Sequence, residues 1–168
     1  MSEEADGRDD FAQWYAASYA RVQRAVTLAV GDVGVGEEAT AEAYARALVH
    51  WRTVRVAHRP EAWVYRTALN YVRSRLRRAQ LERRWLARQK IDSYPPPAEP
   101  PTALWAAVAQ LAPRARTAVA LRYIADLSEA EVAEVMGISR GTAAATLSKA
   151  RTRLGELLAT QGLNERTS

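Results

Sequence analysis

Cysteine is absent from all 168 residues. That removes a disulfide scaffold, a thiolate zinc site and a cysteine nucleophile together, and it fits a reducing, cytoplasmic setting. Phenylalanine occurs once, at Phe11, and glycine eight times. β-branched runs are short and the apolar residues are mostly Ala, Leu and Val, a composition that favours helices. No apolar run approaches membrane-spanning length, and the first ten residues, MSEEADGRDD, are acidic. Neither a signal peptide nor membrane insertion is therefore expected. P-loop and metal-ligand spacings are missing, and His50 and His58 have no partner motif, so the expected protein is not an enzyme and needs no cofactor.

Arginine is what the sequence has in quantity, since every basic residue except Lys90 and Lys149 is Arg. Residues 51–95 carry twelve basic residues against three acids, whereas residues 1–10 carry five acids against one Arg. Planar guanidinium groups suit bidentate contact with phosphate or guanine, and a block this concentrated points to a polyanion, nucleic acid first. A solvated helix face is the plainer alternative.

Five of the seven prolines fall in DSYPPPAEPP, residues 92–101. Such a run fixes φ and removes donors, so it reads as a semi-rigid linker between two small helical domains. The expected organisation is all-α: an acidic tail over 1–10, a domain over 11–91, the linker, a domain over 102–160 and a tail over 161–168. Helical spacing predicts a first helix over about 10–30, ended by the glycines of GDVGVG, and a second over about 37–51. A third starts near Pro60 and runs to about 90. Beyond the linker, segments at 102–111 and 113–125 precede SEAE (128–131), a capping box whose helix stops at Gly137. Ser139 is positioned to cap a last helix running to about 159.

On the third helix Val64, Ala68, Tyr71 and Val72 share the face expected to be buried. Arg59, Arg66, Asn70, Arg73 and Arg77 collect opposite them. The arginines suit phosphates, while Asn70 is either a base-edge reader or an ordinary exposed polar residue. Trp51, Trp63 and Tyr65 flank the stripe. They could stack on an unpaired base, although Trp63 fits the core or its edge. The last two helices, joined by Gly137-Ile138-Ser139, follow a helix-turn-helix plan with an apolar seam of Ala143, Leu147, Ala150, Leu154 and Leu158. The second opens on GTAAAT, where a DNA reader would carry Arg, Lys, Asn or Gln. Its outward face, from Thr142 through Ala145 to Lys149 and Thr152, is neutral at the tip and basic further along.

From residue 11 to about 158 the chain resembles the bacterial sigma factors of the extracytoplasmic-function group. GEEATAEAYARAL resembles the family's polymerase-binding helix, with Ala41 where Gln is common. RPEAWVYRTALNYVRSRLRR resembles its minus-ten recognition helix. LAPRARTAVALRYIADLSEAEVAEVMGISRGTAAATLSKARTRL resembles its minus-thirty-five-binding domain, with Ala143 in place of a larger apolar residue and Ala144 and Thr146 in place of commonly basic ones.

The resemblance implies an initiation factor whose partners are core RNA polymerase, through its beta and beta-prime subunits, and promoter DNA; a cognate anti-sigma factor is a further possible partner. Glu37, Glu38, Glu42 and Arg46 would meet polymerase. Arg55, His58, Arg59, Trp63, Arg66, Asn70, Arg73 and Arg77 would hold the minus-ten element, with a flipped base against the loop before the third helix. Arg140, Thr142, Ala144, Ala145, Thr146, Ser148, Lys149 and Arg151 would contact the minus-thirty-five element, with methyl and shape readout at the tip and phosphate anchoring beyond it. Two other readings stay open: a helix-turn-helix regulator independent of polymerase, and a sigma-like protein that binds polymerase or an anti-sigma factor without reading a promoter.

Overall fold

A computed structural model of the protein describes the backbone over residues 2–86 and 102–165, and side chains over 7–81 and 102–160. The expected linker at 92–101 lies outside them. The architecture is all-α, with no strand among the described residues.

The N-terminal group comprises α1 (Ser2–Val30), α2 (Val33–Val49), the single turn α3 (Trp51–Val54) and α4 (Pro60–Leu86). Helical backbone thus begins at Ser2, within residues read as a tail. Gly31 ends α1 in the left-handed region at φ +78, a conformation that suits glycine. Asp32 then caps α2, its side chain accepting from the Val35 N–H at 2.8 Å, which satisfies a donor that the first helical turn leaves unpaired. This corrects the reading of GDVGVG as a loop, because Gly34 and Gly36 lie inside α2. Gly36 is set by packing: a Cβ there would sit 2.7 Å from the Thr27 Cα. α1 and α2 can approach so closely only without that carbon.

Small residues continue along the seam. Ala39, Ala43 and Ala47 of α2 are buried in one cluster with Val22 and Val26 of α1 and Val64 and Ala68 of α4, α2 packing on both helices. An aromatic cluster closes one end, with Trp14 and Trp51 ring centroids 4.8 Å apart and Phe11 edge-on to Trp51. Ser18 and Tyr44 share a buried hydroxyl hydrogen bond at 2.7 Å. Burial pushes the Tyr44 phenol up to about 12, and that bond offsets only part of the rise.

The C-terminal group comprises α5 (Ala103–Ala109), α6 (Pro113–Val119), α7 (Glu129–Met136) and α8 (Arg140–Glu165). α6 runs into a π-helical turn, Ala120–Ile124, closed by the Ala125 N–H on the Ala120 carbonyl at 3.0 Å. Four successive residues, Ala118 to Leu121, are buried there. Four residues sweep most of the way round an α-helix, so this stretch must be covered on nearly every side. Ser128 and Glu131 form the capping box, Gly137 stops α7 at φ +66, and the Ser139 hydroxyl accepts from the Thr142 N–H at 3.1 Å. Along α8, Ala143, Leu147 and Ala150 are buried as expected, and Leu154 is half-buried. The predicted seam ends early, because Leu158 is 37% exposed.

The buried residues of the two groups form one continuous apolar cluster. α1 lies against α6 and the π turn, and α4 lies against α7.

Candidate nucleic-acid interface

α4 positions the basic stripe. Val64, Ala68 and Val72 are buried, and Tyr71 is half-buried with its hydroxyl donating to Glu38 at 2.5 Å. Arg66, Asn70, Arg73 and Arg77 are exposed on the other side. The Arg73 guanidinium donates to the side-chain Oδ1 of Asn70 at 3.1 Å, leaving the Asn70 side-chain NH2 as its free donor group. Arg77 donates to the Ser74 hydroxyl at 3.2 Å. The stripe therefore carries positive charge along its length, with one amide among the guanidinium groups.

The loop before α4 is anchored at its start. Trp51 is buried in the aromatic cluster, Arg55 pairs with Asp10 at 3.7 Å, and Trp14 donates from its indole to Glu61 in the first turn of α4 at 3.0 Å. Val56 and His58 are exposed between these anchors. Trp63 is half-buried at the core's edge, its ring centroid 6.3 Å from that of His50. Two of the candidate residues are held across the chain. Arg59 donates to the Asp126 carbonyl at 2.8 Å and to Glu131 at 3.3 Å, and Arg66 donates to the Glu134 carbonyl at 3.0 Å.

The acidic candidates of α2 are exposed or half-buried, and several already have partners. Glu37 accepts from Gln23 at 3.2 Å, and Glu42 pairs with Arg46 at 2.7 Å one turn on. Glu38 holds both Tyr71 and Arg75 of α4. Arg75 and Tyr71 were not among the sequence candidates. The acidic run GEE followed by an arginine cluster was their only signal.

On α8 the outward face is as the helical wheel places it. Thr142, Ala145, Ser148, Lys149, Arg151 and Thr152 are exposed, as is Arg140, while Ala144 and Thr146 are half-buried. The hydroxyl inventory is smaller than the sequence implies. Thr142 shares a 2.7 Å bond with the Ser139 cap, and Thr146 donates to the Thr142 carbonyl at 2.7 Å. The Thr146 oxygen thus faces any partner as an acceptor, its proton being committed to the backbone. Arg151 donates to the Tyr123 hydroxyl at 3.4 Å, which ties it to the π turn. Lys149 and Arg140 have no side-chain bond among the described residues.

Glu131 has an electrostatic setting of its own. Burial alone would raise its carboxyl, but hydrogen bonds from the Ser128 N–H and hydroxyl, with Arg59 and His58 nearby, outweigh this and hold it below the ordinary range.

An all-α chain with a basic helix face and a capped helix-turn-helix has the features of a helical nucleic-acid-binding class. Residues 102–154 match the family described as sigma-70, region 4. The fold matches a solved structure of the sigma factor RpoE in complex with the anti-sigma factor NepR from Bartonella quintana, with a TM-score of 0.75 and 21% identity, covering 89% of this chain and 97% of that one. A structure of an RsbN–BldN complex is 26% identical over 94% of this chain and 99% of that one, with a TM-score of 0.37. No curated protein matches the sequence. The C-terminal helices thus match sigma-70 region 4 over residues 102–154, and the chain as a whole shares the fold of that solved sigma factor.

Proposed function

We propose that this chain is a sigma factor of the extracytoplasmic-function type, which binds core RNA polymerase through its beta and beta-prime subunits and directs it to promoters by two DNA contacts. The observation that carries this reading is one chain holding both an exposed arginine stripe on α4 and a helix-turn-helix matched to region 4. In this reading residues 11–91 form the polymerase- and minus-ten-binding domain, and residues 102–160 the minus-thirty-five domain.

The chemistry of initiation belongs to polymerase, and this chain supplies position. Arg73 and Arg77 hold backbone phosphates, Asn70 offers its amide to a base edge, and a base unstacked from the separated strand lies against the loop of Val56 and His58. Glu37, Glu38, Glu42 and Arg46 form the polymerase-facing surface of α2. On α8, Lys149, Arg151 and Arg140 take phosphates, with Thr142 and Ser148 beside them. The methyl groups of Ala144 and Ala145 and the oxygen of Thr146 meet the groove floor. An anti-sigma factor is proposed as a further partner, because the solved structure that shares this fold was determined with one.

Run-off transcription with purified core polymerase on a randomised promoter library tests this reading. The expected result is recovery of promoters sharing a minus-ten element. Arg73→Ala with Arg77→Ala is expected to abolish strand opening while co-purification with polymerase persists. Duplex binding without any dependence on polymerase would instead identify an independent regulator.

A further inference from the structure

A groove of about 580 Å³ lies where the end of α1, α4, α6 and the turn between α7 and α8 meet. Its floor is apolar, formed by Val30 of α1, Leu69, Val72 and Leu76 of α4, Met136 of α7 and Ile138 of the turn. Leu69, Val72 and Met136 are buried members of the core, so the floor is the edge of the core itself. Leu76 extends that floor outward and is 57% exposed. A volume in this range suits a small molecule, and such sites join an apolar lining to a few placed polar groups.

The charged groups here are mostly of one sign. Arg73, Arg114 and Arg116 line the groove with a single acid, Asp32. Two of these four are already committed. The Asp32 carboxylate caps α2 through the Val35 N–H. Arg116 is half-buried and donates to the Ala29, Val30 and Ala109 carbonyls, so its guanidinium serves the backbone. Arg114 is exposed and has no side-chain hydrogen bond or ion pair among the described residues, while Arg73 makes one bond, to Asn70. Guanidinium groups favour a planar head with two anionic oxygens. The floor in turn suits an unbranched hydrocarbon, because Met136 is flexible and polarizable and adapts to the chain laid against it.

We propose that this groove binds a single-chain amphiphile with a carboxylate head. Its hydrocarbon lies on the apolar floor, and its head is held by Arg114 with Arg73. The site stands independently of the promoter reading. Because its walls come from α4 on one side and from α6 and α7 on the other, occupancy stabilises the folded chain by linkage.

The test uses the full chain. Its only methionine besides Met1 is Met136, so methionine labelled at the methyl carbon makes Met136 a reporter inside the groove. Decanoate, kept below its micelle-forming concentration, is expected to shift the Met136 methyl resonance saturably and to raise the melting temperature. Octanoate is expected to bind about tenfold more weakly, since it buries two fewer methylenes. Decyltrimethylammonium, with the opposite charge, is expected not to compete. Arg114→Gln is expected to weaken decanoate binding about tenfold by removing a charge-assisted bond, while decanol binding stays unchanged. Leu76→Asp is expected to abolish binding of both. Arg73 is left in place because it also belongs to the stripe of α4, and thermal melting of each variant without ligand confirms that it folds. No saturable Met136 shift with decanoate would overturn the site. Decanol binding as tightly as decanoate would overturn the carboxylate head, and wild-type affinity in Leu76→Asp would overturn its placement. An acidic amphipathic peptide that shifts Met136 where decanoate does not would overturn the amphiphile in favour of a protein partner.

Discussion

Gly36 and Gly155 are both helical glycines, and their surroundings predict opposite outcomes. A methyl at Gly36 would meet the Thr27 backbone Cα at 2.7 Å, whereas one at Gly155 meets nothing within 4 Å. Overpacking against backbone has no flexible neighbour to yield, so Gly36→Ala is expected to destabilise by about 1–3 kcal/mol. Gly155→Ala is expected to stabilise by about 0.5–1 kcal/mol through helix propensity alone. Urea melts of the two variants check the pair. At this scale the sequence was partly legible. The exposed stripe of Arg66, Asn70, Arg73 and Arg77 followed from helical periodicity. The contacts of Arg59 and Arg66 with α7 did not, because they join positions 67 to 72 residues apart. Likewise the glycines of GDVGVG announced a loop locally, and only the approach of α1 explains why Gly36 is helical.

At the scale of the element, the capping box on α7 was readable because its chemistry is local: Ser128 and Glu131 bond within three residues of each other. Ser128→Ala is expected to cost about 0.5–2 kcal/mol. Glu131 adds a pH dependence whose sign follows from its lowered carboxyl. The stabilisation is present above the ordinary carboxylate range and is lost as pH falls through the depressed folded value. Acid titration followed by α7 amide exchange should show protection that falls with pH in wild type but is already lower and unresponsive to this titration in Glu131→Gln, and identical profiles would remove Glu131 from that role. The π turn was not legible, since four buried residues in a row could equally belong to a longer α-helix. Its consequence reaches α8, where Tyr123 receives Arg151. Because the first exposed turns of α8 offer alanine methyls and committed hydroxyls, base preference at minus thirty-five is expected to be weaker than at minus ten. Transcription from promoters randomised in each element measures this, and a stricter requirement at minus thirty-five would contradict it.

The whole molecule combines a modest net charge of +5 with strong segregation, and among the described residues one ion pair, Arg59 with Glu131, joins the two groups, beside arginine bonds to backbone carbonyls. Long-range pairing of this kind is invisible in composition, which shows only that a basic block exists. The all-α architecture, by contrast, followed from an apolar composition of mostly Ala, Leu and Val, capped starts and helical spacing. Among the described residues no helix is long and apolar enough to cross a membrane.

Arg116 meets the end of α1 from 86 positions further along the chain, and this separation has a consequence in time. At roughly 5–20 residues per second, a ribosome reaches Arg116 about 4–17 s after Val30. During that interval the Ala29 and Val30 carbonyls lack the guanidinium that meets them in the folded chain. The contact is therefore among the last that folding during synthesis can make.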